Sequence, residues 1–293
     1  MILEQLTIVF QGKLHNNGPK STEELIKSYI QYYPKINIVI STWKGELISN
    51  YLKENCKVVF SEDPGSVPDW QSNKPNNVNR QIVSSLNGIK IVESKYVLKL
   101  RTDCSVNLDL ISKIFLKYCN NDKKVIISNL TSKNPRYVNK LYYHFCDWIY
   151  FGKTDEVIKF FDIPLFSSKL YPNSKIDVAP EQHISFSWLI NKNYIKVLSD
   201  IYSLFTIRTQ EKIISECLIL TTPREIGLKS LKRSYRLMPF GKNGFISYTP
   251  IDIKILHKEN RNIEFLLNPL YRLRHYIQYL IVQLLLKIRI LWN

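Results

Sequence analysis

One stretch, residues 76–105 (NNVNRQIVSSLNGIKIVESKYVLKLRTDCS), constrains the fold of this chain more than any other. Its first half places apolar residues mostly at helical spacing, which predicts a helix. Its second half contains KYVLKL, in which side chains alternate along the segment as they do in a strand. The predicted strand runs directly into Arg101, Thr102 and Asp103. This stretch therefore predicts a helix, a short turn and a strand that ends in charged residues.

Asp103 is the first candidate for a functional residue. An acid just past a buried strand lies at the carboxyl edge of a sheet, where open α/β sheets bind ligands. A second interpretation fits the position equally well, because Asp is a common N-cap and the following SVNLDLISKIFLKY has a helical pattern. Position alone does not choose between a ligand-binding acid and a helix cap.

Predicted strands and helices alternate along the first half of the chain. This alternation predicts an α/β fold with a mostly parallel sheet flanked by helices. Ser21 and Glu24 form a capping-box pattern at the start of the first helix. We predict strands at 4–10, 36–42, 57–64, 95–100, 124–132 and 148–151, helices at 21–33, 46–55, 77–92, 106–118, 154–161 and from Pro180, and strand-like runs at 194–207 and 214–221.

Composition limits the class of protein. The 293 residues are 45% hydrophobic and 12% aromatic, which is enough for one large domain or one domain with an appendage. The five cysteines include no CxxC pair, so we expect free thiols in a reducing compartment. The first residues lack a basic region and a cleavage site, so no signal peptide is predicted.

The chain is strongly basic, with 41 Lys and Arg against 25 acids and a formal net charge of +16. Such a surface attracts polyanions, but no nucleic-acid-binding motif is present, so we expect no nucleic-acid partner. Much of the excess lies toward residues 265–293, which have a helical pattern with basic flanks. The uncharged run 276–286 is too short to span a bilayer. We predict a helix that lies on an anionic membrane surface; the alternative is a helix packed within the domain.

The motifs of several enzyme classes are missing. There is no GxxxxGK[ST] loop, no GxGxxG, no GxSxG and no HExxH, which argues against ATPases, dehydrogenases, serine hydrolases and zincins. The predicted sheet edge still suits a nucleotide, and Arg80 and Lys99 are placed to bind a diphosphate. A carboxylate there can hold a divalent cation. His144 and Cys146 lie in an aromatic run and are interpreted as core residues.

Several segments together resemble the WavE family of lipopolysaccharide-synthesis proteins. They are TIVFQGKL, INIVISTWKG, VVFSEDPG, NNVNRQIVSSLNGIK with YVLKLRTD, CDWIYFGKTDEV and PEQHISFSWL. The resemblance covers about residues 5–190, and its most specific part is the run from NNVNRQ to LKLRTD. It implies a glycosyltransferase with a GT-A-like, Rossmann-type domain that builds bacterial surface polysaccharide.

The resemblance also implies roles for individual residues. Asp103 corresponds to the acidic motif that binds Mg²⁺ or Mn²⁺ and the donor diphosphate, but the usual Asp-x-Asp is Asp103-Cys104-Ser105 here. Metal use is therefore open, and Arg101 or Lys99 is an alternative counter-charge. His257 corresponds to a late metal ligand, although a lone His is more often structural.

Two further acids are candidates for the chemistry. Glu181 resembles the general base, and Asp147 is the second choice, as an acceptor-binding group; the alternative for Glu181 is an acid that only stabilises a helix N-terminus. The remaining candidates share a predicted place at the nucleotide or donor pocket: Gln11, Gly12, Thr42, Glu62, Asp63, Asn79, Arg80, Lys99 and Arg101.

These assignments predict a glycosyltransferase that moves a sugar from a nucleotide-sugar donor to a surface glycan or glycolipid acceptor, in lipopolysaccharide or capsule. Residues 1–264 would form the catalytic domain, with a nucleotide-sugar half at about 1–130 and an acceptor half at about 131–264. The enzyme would be cytoplasmic and peripheral on the inner face of the bacterial cytoplasmic membrane. Two alternatives remain: a sugar nucleotidyltransferase, for which QGKLHNNG is a poor match, and a non-enzymatic scaffold for anionic membranes or polysaccharide.

Overall fold

A seven-stranded sheet forms the centre of the molecule in the computed structural model. The structure describes residues 2–16, 21–68, 75–119, 123–136, 141–167, 170–171, 178–231, 247–248, 252–253, 256–257 and 277. In chain order the strands are β1 (Leu6–Gln11), β2 (Asn37–Trp43), β3 (Lys57–Ser61), β4 (Val67–Pro68), β5 (Pro75–Asn76), β6 (Tyr96–Arg101), β7 (Cys104–Ser105), β8 (Val125–Ser128), β9 (Ile149–Lys153), β10 (Leu218–Thr221) and β11 (Lys229–Ser230).

The order of the main sheet is β10-β8-β9-β6-β1-β2-β3. Every neighbouring pair is parallel except those of β9, which runs antiparallel to both β6 and β8. The prediction of an α/β fold with a mostly parallel sheet is confirmed. Because β9 runs the other way, Ile149 at its start pairs with Leu100 near the end of β6. The residues just before β9 therefore reach the carboxyl edge of the parallel strands.

Helices cover both faces of the sheet. They are α1 (Thr22–Tyr32), α2 (Asn50–Asn55), α3 (Val78–Lys90), α4 (Leu108–Tyr118), α5 (Thr154–Ile158), α6 (Pro180–Asn191) and α7 (Ile207–Cys217). Alternate residues of each strand enter two separate apolar cores, because successive side chains point to opposite faces. Val97 packs with α3 and α6 on one face, while Leu98 packs with α1 and α4 on the other.

Strands from both predicted halves of the catalytic domain join this one sheet, since β9 and β10 follow residue 131. The two predicted halves therefore contribute strands to the same sheet. All five cysteines are free, as expected.

Local signals predicted most elements, with one clear error. The Ser21 side chain accepts a hydrogen bond from the backbone N–H of Glu24, as the capping pattern indicated. The strand predicted at 194–207 is wrong: a 3-10 helix, Leu198–Leu204, occupies that run. Of the run at 214–221, the first part ends α7 and only Leu218–Thr221 is a strand. Short apolar runs fit either period, so packing decides between them.

The helix-cap interpretation of Asp103 is also wrong. The cap of α4 is Asn107, whose side chain accepts from the backbone N–H of Leu110 at 3.0 Å. The carboxylate of Asp103 is therefore available for another role.

The predicted C-terminal helix, residues 265–293, lies outside the described residues apart from Ile277. Within the described part of the chain, no helix has both the length and the apolar character that crossing a bilayer requires.

Candidate active site

Polar residues follow the ends of β1 and β2 at the carboxyl edge of the sheet. Gly12 turns the chain with a φ of +101°, which favours glycine, and its N–H donates to Ser41 O at 2.9 Å. Gln11 is buried, and its Oε1 accepts from the Ser84 hydroxyl of α3 at 2.7 Å. Thr42 is buried as well, and its hydroxyl has no hydrogen-bond partner among the described residues. These residues form a closely packed layer below the carboxyl edge of the sheet.

An ion pair follows β6. Arg101 donates to both carboxylate oxygens of Asp103, from Nε at 3.0 Å and from the terminal nitrogen at 3.1 Å. The guanidinium also lies 4.5 Å from the ring centre of Trp148. The Asp103 side chain is 3% exposed, whereas 28% of the Arg101 side chain reaches solvent. Asp103 thus holds Arg101 in place, and Arg101 is the member that reaches solvent.

The donor atoms around Asp103 do not fit a divalent cation. Both carboxylate oxygens face the guanidinium, and no group of three or more His, Cys, Asp or Glu ligands occurs within the described residues. His257 does not complete such a site, because its Nε2–H donates to Leu220 O of β10 at 2.9 Å. In the sheet order β10 is three strands from β6, which corresponds to roughly 14 Å.

Lys99 lies beneath the edge and not on it. It is fully buried, and its Nζ donates to the backbone O of Asp147 at 2.6 Å. Burial lowers the pKa of Lys99 to about 8, while nearby Asp147 opposes that change. The Nε2 of Gln81 donates to the same carbonyl at 3.0 Å. Lys99 therefore fixes Asp147 in position and does not itself contact a solvent-exposed ligand.

Glu181 lies in the first turn of α6, with 20% of its side chain exposed. Burial, with a contribution from the carboxylate of Asp147, raises the pKa of Glu181 well above its ordinary value. Its Oε2 is 3.7 Å from Nε2 of His144. Burial, then Lys133, lowers the pKa of His144 to about 4, so the imidazole is neutral near pH 7. A carboxylate of raised pKa beside a second acid is typical of a catalytic base.

Two exposed ion pairs form the rim beyond β3. Asp63 accepts from Arg80 through both oxygens at 2.7 Å, and Glu62 pairs with Lys44. The predicted acids at the end of β3 are therefore each neutralised by a neighbouring cation. The ion pair between Asp63 and Arg80 attaches the segment that follows β3 to the start of α3.

The chain matches a family over most of its length. The WavE lipopolysaccharide synthesis family matches residues 6–244. The chain belongs to the WavE family.

Solved structures resemble this WavE-family chain at low identity, and no curated protein sequence matches it. A glycosyltransferase involved in glycosylation of the major capsid of PBCV-1 is 15% identical, with a TM-score of 0.32 over 74% of this chain and 82% of its own. HddC from Yersinia pseudotuberculosis is 14% identical, with a TM-score of 0.32 over 67% of this chain and 99% of its own. HddC complexed with GMP-PN is 15% identical, with a TM-score of 0.26 over 58% and 86%.

Asn79, predicted to line the donor pocket, is used to anchor a loop of the WavE-family chain. Its Nδ2 donates to Phe166 O at 3.2 Å and its Oδ1 accepts from Phe166 N at 2.7 Å. His183 anchors the same loop, because its Nε2–H donates to Pro164 O at 3.0 Å and its Nδ1 accepts from the Tyr171 hydroxyl at 2.7 Å. Together these bonds attach Pro164, Phe166 and Tyr171 to α3 and α6.

Sequence reasoning missed two residues of the site. His144 was correctly interpreted as buried, but its proximity to Glu181 was not foreseen. Lys133 stands in the polar run TSKNPR and looks exposed, yet it is buried beside the same cluster. No local pattern distinguishes such a lysine, because its burial comes from segments distant in the chain.

Proposed function

We propose that this WavE-family protein is a glycosyltransferase with a GT-A-like catalytic domain. It moves a sugar from a nucleotide-sugar donor to a bacterial surface glycan or glycolipid. The family supports a role in lipopolysaccharide synthesis. The observation that carries the proposal is the pair of interacting carboxylates, Glu181 and Asp147, of which Asp147 also interacts with Arg101 at the end of β6.

Glu181 is the proposed base. Its carboxylate accepts the proton of an acceptor hydroxyl while the hydroxyl oxygen attacks the anomeric carbon of the donor sugar. The bond between that carbon and the diphosphate breaks, and the nucleoside diphosphate leaves with the electron pair. Asp147 orients the acceptor and favours proton uptake by Glu181, since two neighbouring carboxylates disfavour being charged together.

Arg101 is the proposed counter-charge for the departing diphosphate. Its guanidinium is partly exposed and is oriented by Asp103 and Trp148, which prepares it for charge-assisted bonds to phosphate oxygens. Arg80 and the backbone around Gly12 would contact the nucleotide. In this scheme Asp103 acts through Arg101, and transfer proceeds without a divalent cation.

A thermal-shift screen tests the donor side. The protein would be heated with UDP, GDP, CMP or CDP, each with Mg²⁺, Mn²⁺ or EDTA, since a ligand of the folded state raises its stability. We expect one nucleotide to raise the melting temperature, in EDTA as well as with metal, and Arg101→Met to abolish the shift. The control is Arg208→Met, because Arg208 is exposed. Arg136 does not serve as a control, because it pairs with Glu211.

A release assay then tests the chemistry. The nucleotide sugar that matches the nucleotide of the screen should be converted to free nucleoside diphosphate, and Glu181→Gln should not perform this conversion. Binding of no nucleotide, together with retained binding to anionic polysaccharide, would favour the scaffold alternative. Formation of nucleotide sugar from sugar phosphate and nucleoside triphosphate would favour the nucleotidyltransferase.

A further inference from the structure

A buried lysine, Lys133, lies on the acceptor side of the proposed active site. It follows β8, and only 5% of the residue is exposed. Its backbone N–H donates to His144 O at 2.8 Å. The preceding Ser132 is held from both sides, because its hydroxyl donates to Ser128 O at 2.7 Å and accepts from Cys146 N at 2.8 Å. The backbone of Lys133 is therefore rigidly placed.

The ammonium of Lys133 is not satisfied within the protein. Its Nζ has no hydrogen-bond partner among the residues that the structure describes. The Nδ1 of His144, beside it, is likewise without a partner there. Burying a cation without a partner costs several kcal/mol, so proteins seldom retain such a group without a use for its charge.

The titratable groups around Lys133 come from two segments. Glu181 at the start of α6 is the acid that acts on it, and His144 and Asp147 stand on the segment before β9. Burial lowers the pKa of Lys133 to about 8, which leaves most molecules protonated at pH 7. The group therefore offers, near the proposed base, N–H donors for which no described residue supplies an acceptor.

Lys133 and Arg101 are associated with different strands of the sheet. Lys133 follows β8 and Arg101 ends β6, with β9 between the two strands. Two strand spacings correspond to roughly 10 Å. Lys133 and Glu181 act on each other electrostatically, so an anion that binds Lys133 would be placed beside the proposed base.

We propose that Lys133 binds an anionic group, a carboxylate or a phosphate, on the acceptor glycan and so directs an acceptor hydroxyl toward Glu181. This inference rests on the proposed glycosyl transfer and adds the chemical class of its acceptor. The negative charge satisfies the unpartnered ammonium, and the fixed backbone of Lys133 sets the distance between that charge and the base.

Binding of matched sugars tests the proposal without donor or transfer. Glucuronate, glucose 6-phosphate and glucose would be titrated calorimetrically into the full chain at pH 7. We expect at least one of the two anionic sugars to bind about tenfold or more tightly than glucose, and the preferred one identifies carboxylate or phosphate as the group. Lys133→Met should remove that preference, and raising the pH from 7 to 9.5 should weaken it as the lysine loses its proton.

Lys212→Met is the matched control, because it removes the same charge from an exposed position on α7. Lys133→Met is expected to fold, since an apolar chain of similar length removes the cost of burying a charge. Equal binding of the anionic sugar by wild type and Lys133→Met, or no preference over glucose in wild type, would overturn the proposal. Glu181→Gln should retain the preference while losing transfer, which separates this inference from the proposed function.

Discussion

At the residue scale, the site depends on how each charge is neutralised. Arg101 and Asp103 neutralise each other, Lys99 uses the backbone carbonyl of Asp147, and Glu181 lies 3.7 Å from His144, whose imidazole is neutral near pH 7. Burial raises the affinity of Glu181 for protons, whereas Arg80 lowers the pKa of the paired acid Asp63.

Glu181→Gln should lower transfer about 10²–10⁴-fold while stabilising the protein at high pH. The raised pKa means that the folded state binds a proton that the unfolded state has released, so wild-type stability falls as pH rises above about 4.5. The melting-temperature advantage of Glu181→Gln should therefore grow between pH 4 and pH 9. Glu23→Gln is the control, because the pKa of Glu23 is lowered and this growing advantage should be absent.

Asp103→Ala should destabilise the protein by roughly 3 kcal/mol, because it leaves the guanidinium of Arg101 partly buried without its carboxylate. Asp63→Ala breaks an exposed pair of similar geometry with Arg80 and should cost less than about 1 kcal/mol. Urea unfolding measures both values. Similar losses for the two variants would show that Asp103 does not hold Arg101 in the way described.

At the element scale, the close packing of α3 on the sheet determines where the candidate site residues on α3 lie. It packs on β1, β2 and β6 through one apolar face and carries Arg80 and Gln81 at its start. Gly88 makes this close approach possible, because a Cβ at that position would lie 2.6 Å from Cγ1 of Val9 and 2.8 Å from Cβ of Ser41. The helix therefore sits against the strands at a separation that a larger residue would increase.

Gly88→Ala should destabilise the protein by about 1–3 kcal/mol, although alanine favours helices by up to about 1 kcal/mol over glycine. The steric overlap with Val9 and Ser41 outweighs the propensity. Lys90→Ala, on the exposed side of the same helix, should change stability by less than about 0.5 kcal/mol. A Gly88→Ala variant as stable as wild type in chemical denaturation would contradict the close packing.

At the scale of the whole molecule, the net charge of +16 remains the feature that points to a membrane. The nucleotide site proposed at the sheet edge needs no such excess of positive charge. The basic residues in the flanks of 265–293 would supply positive charge near a lipid-linked acceptor. Each of these residues would contribute about 1 kcal/mol to binding at an anionic surface.

Replacing Arg272, Arg274, Lys287 and Arg289 by Gln should weaken binding to vesicles that contain phosphatidylglycerol by tenfold or more. Vesicle sedimentation measures this, and the difference should shrink at high salt because screening weakens exposed charges. The control removes the same charge from exposed Lys53, Lys57, Lys113 and Lys117. Equal losses in both variants would indicate general charge attraction and not a membrane helix.

The sequence by itself determined the α/β class and most elements, because apolar periodicity and turn residues are local signals, and the resemblance of several segments indicated the family. It also determined that Asp103 and Glu181 lie near the ends of elements, where ligands bind. Tertiary structure alone decided that Arg101 neutralises Asp103, that Asn79 anchors a loop, and that β9 is antiparallel. It alone buried Lys133 next to Glu181. Pairing and burial depend on segments far apart in the chain, so no local pattern contains them.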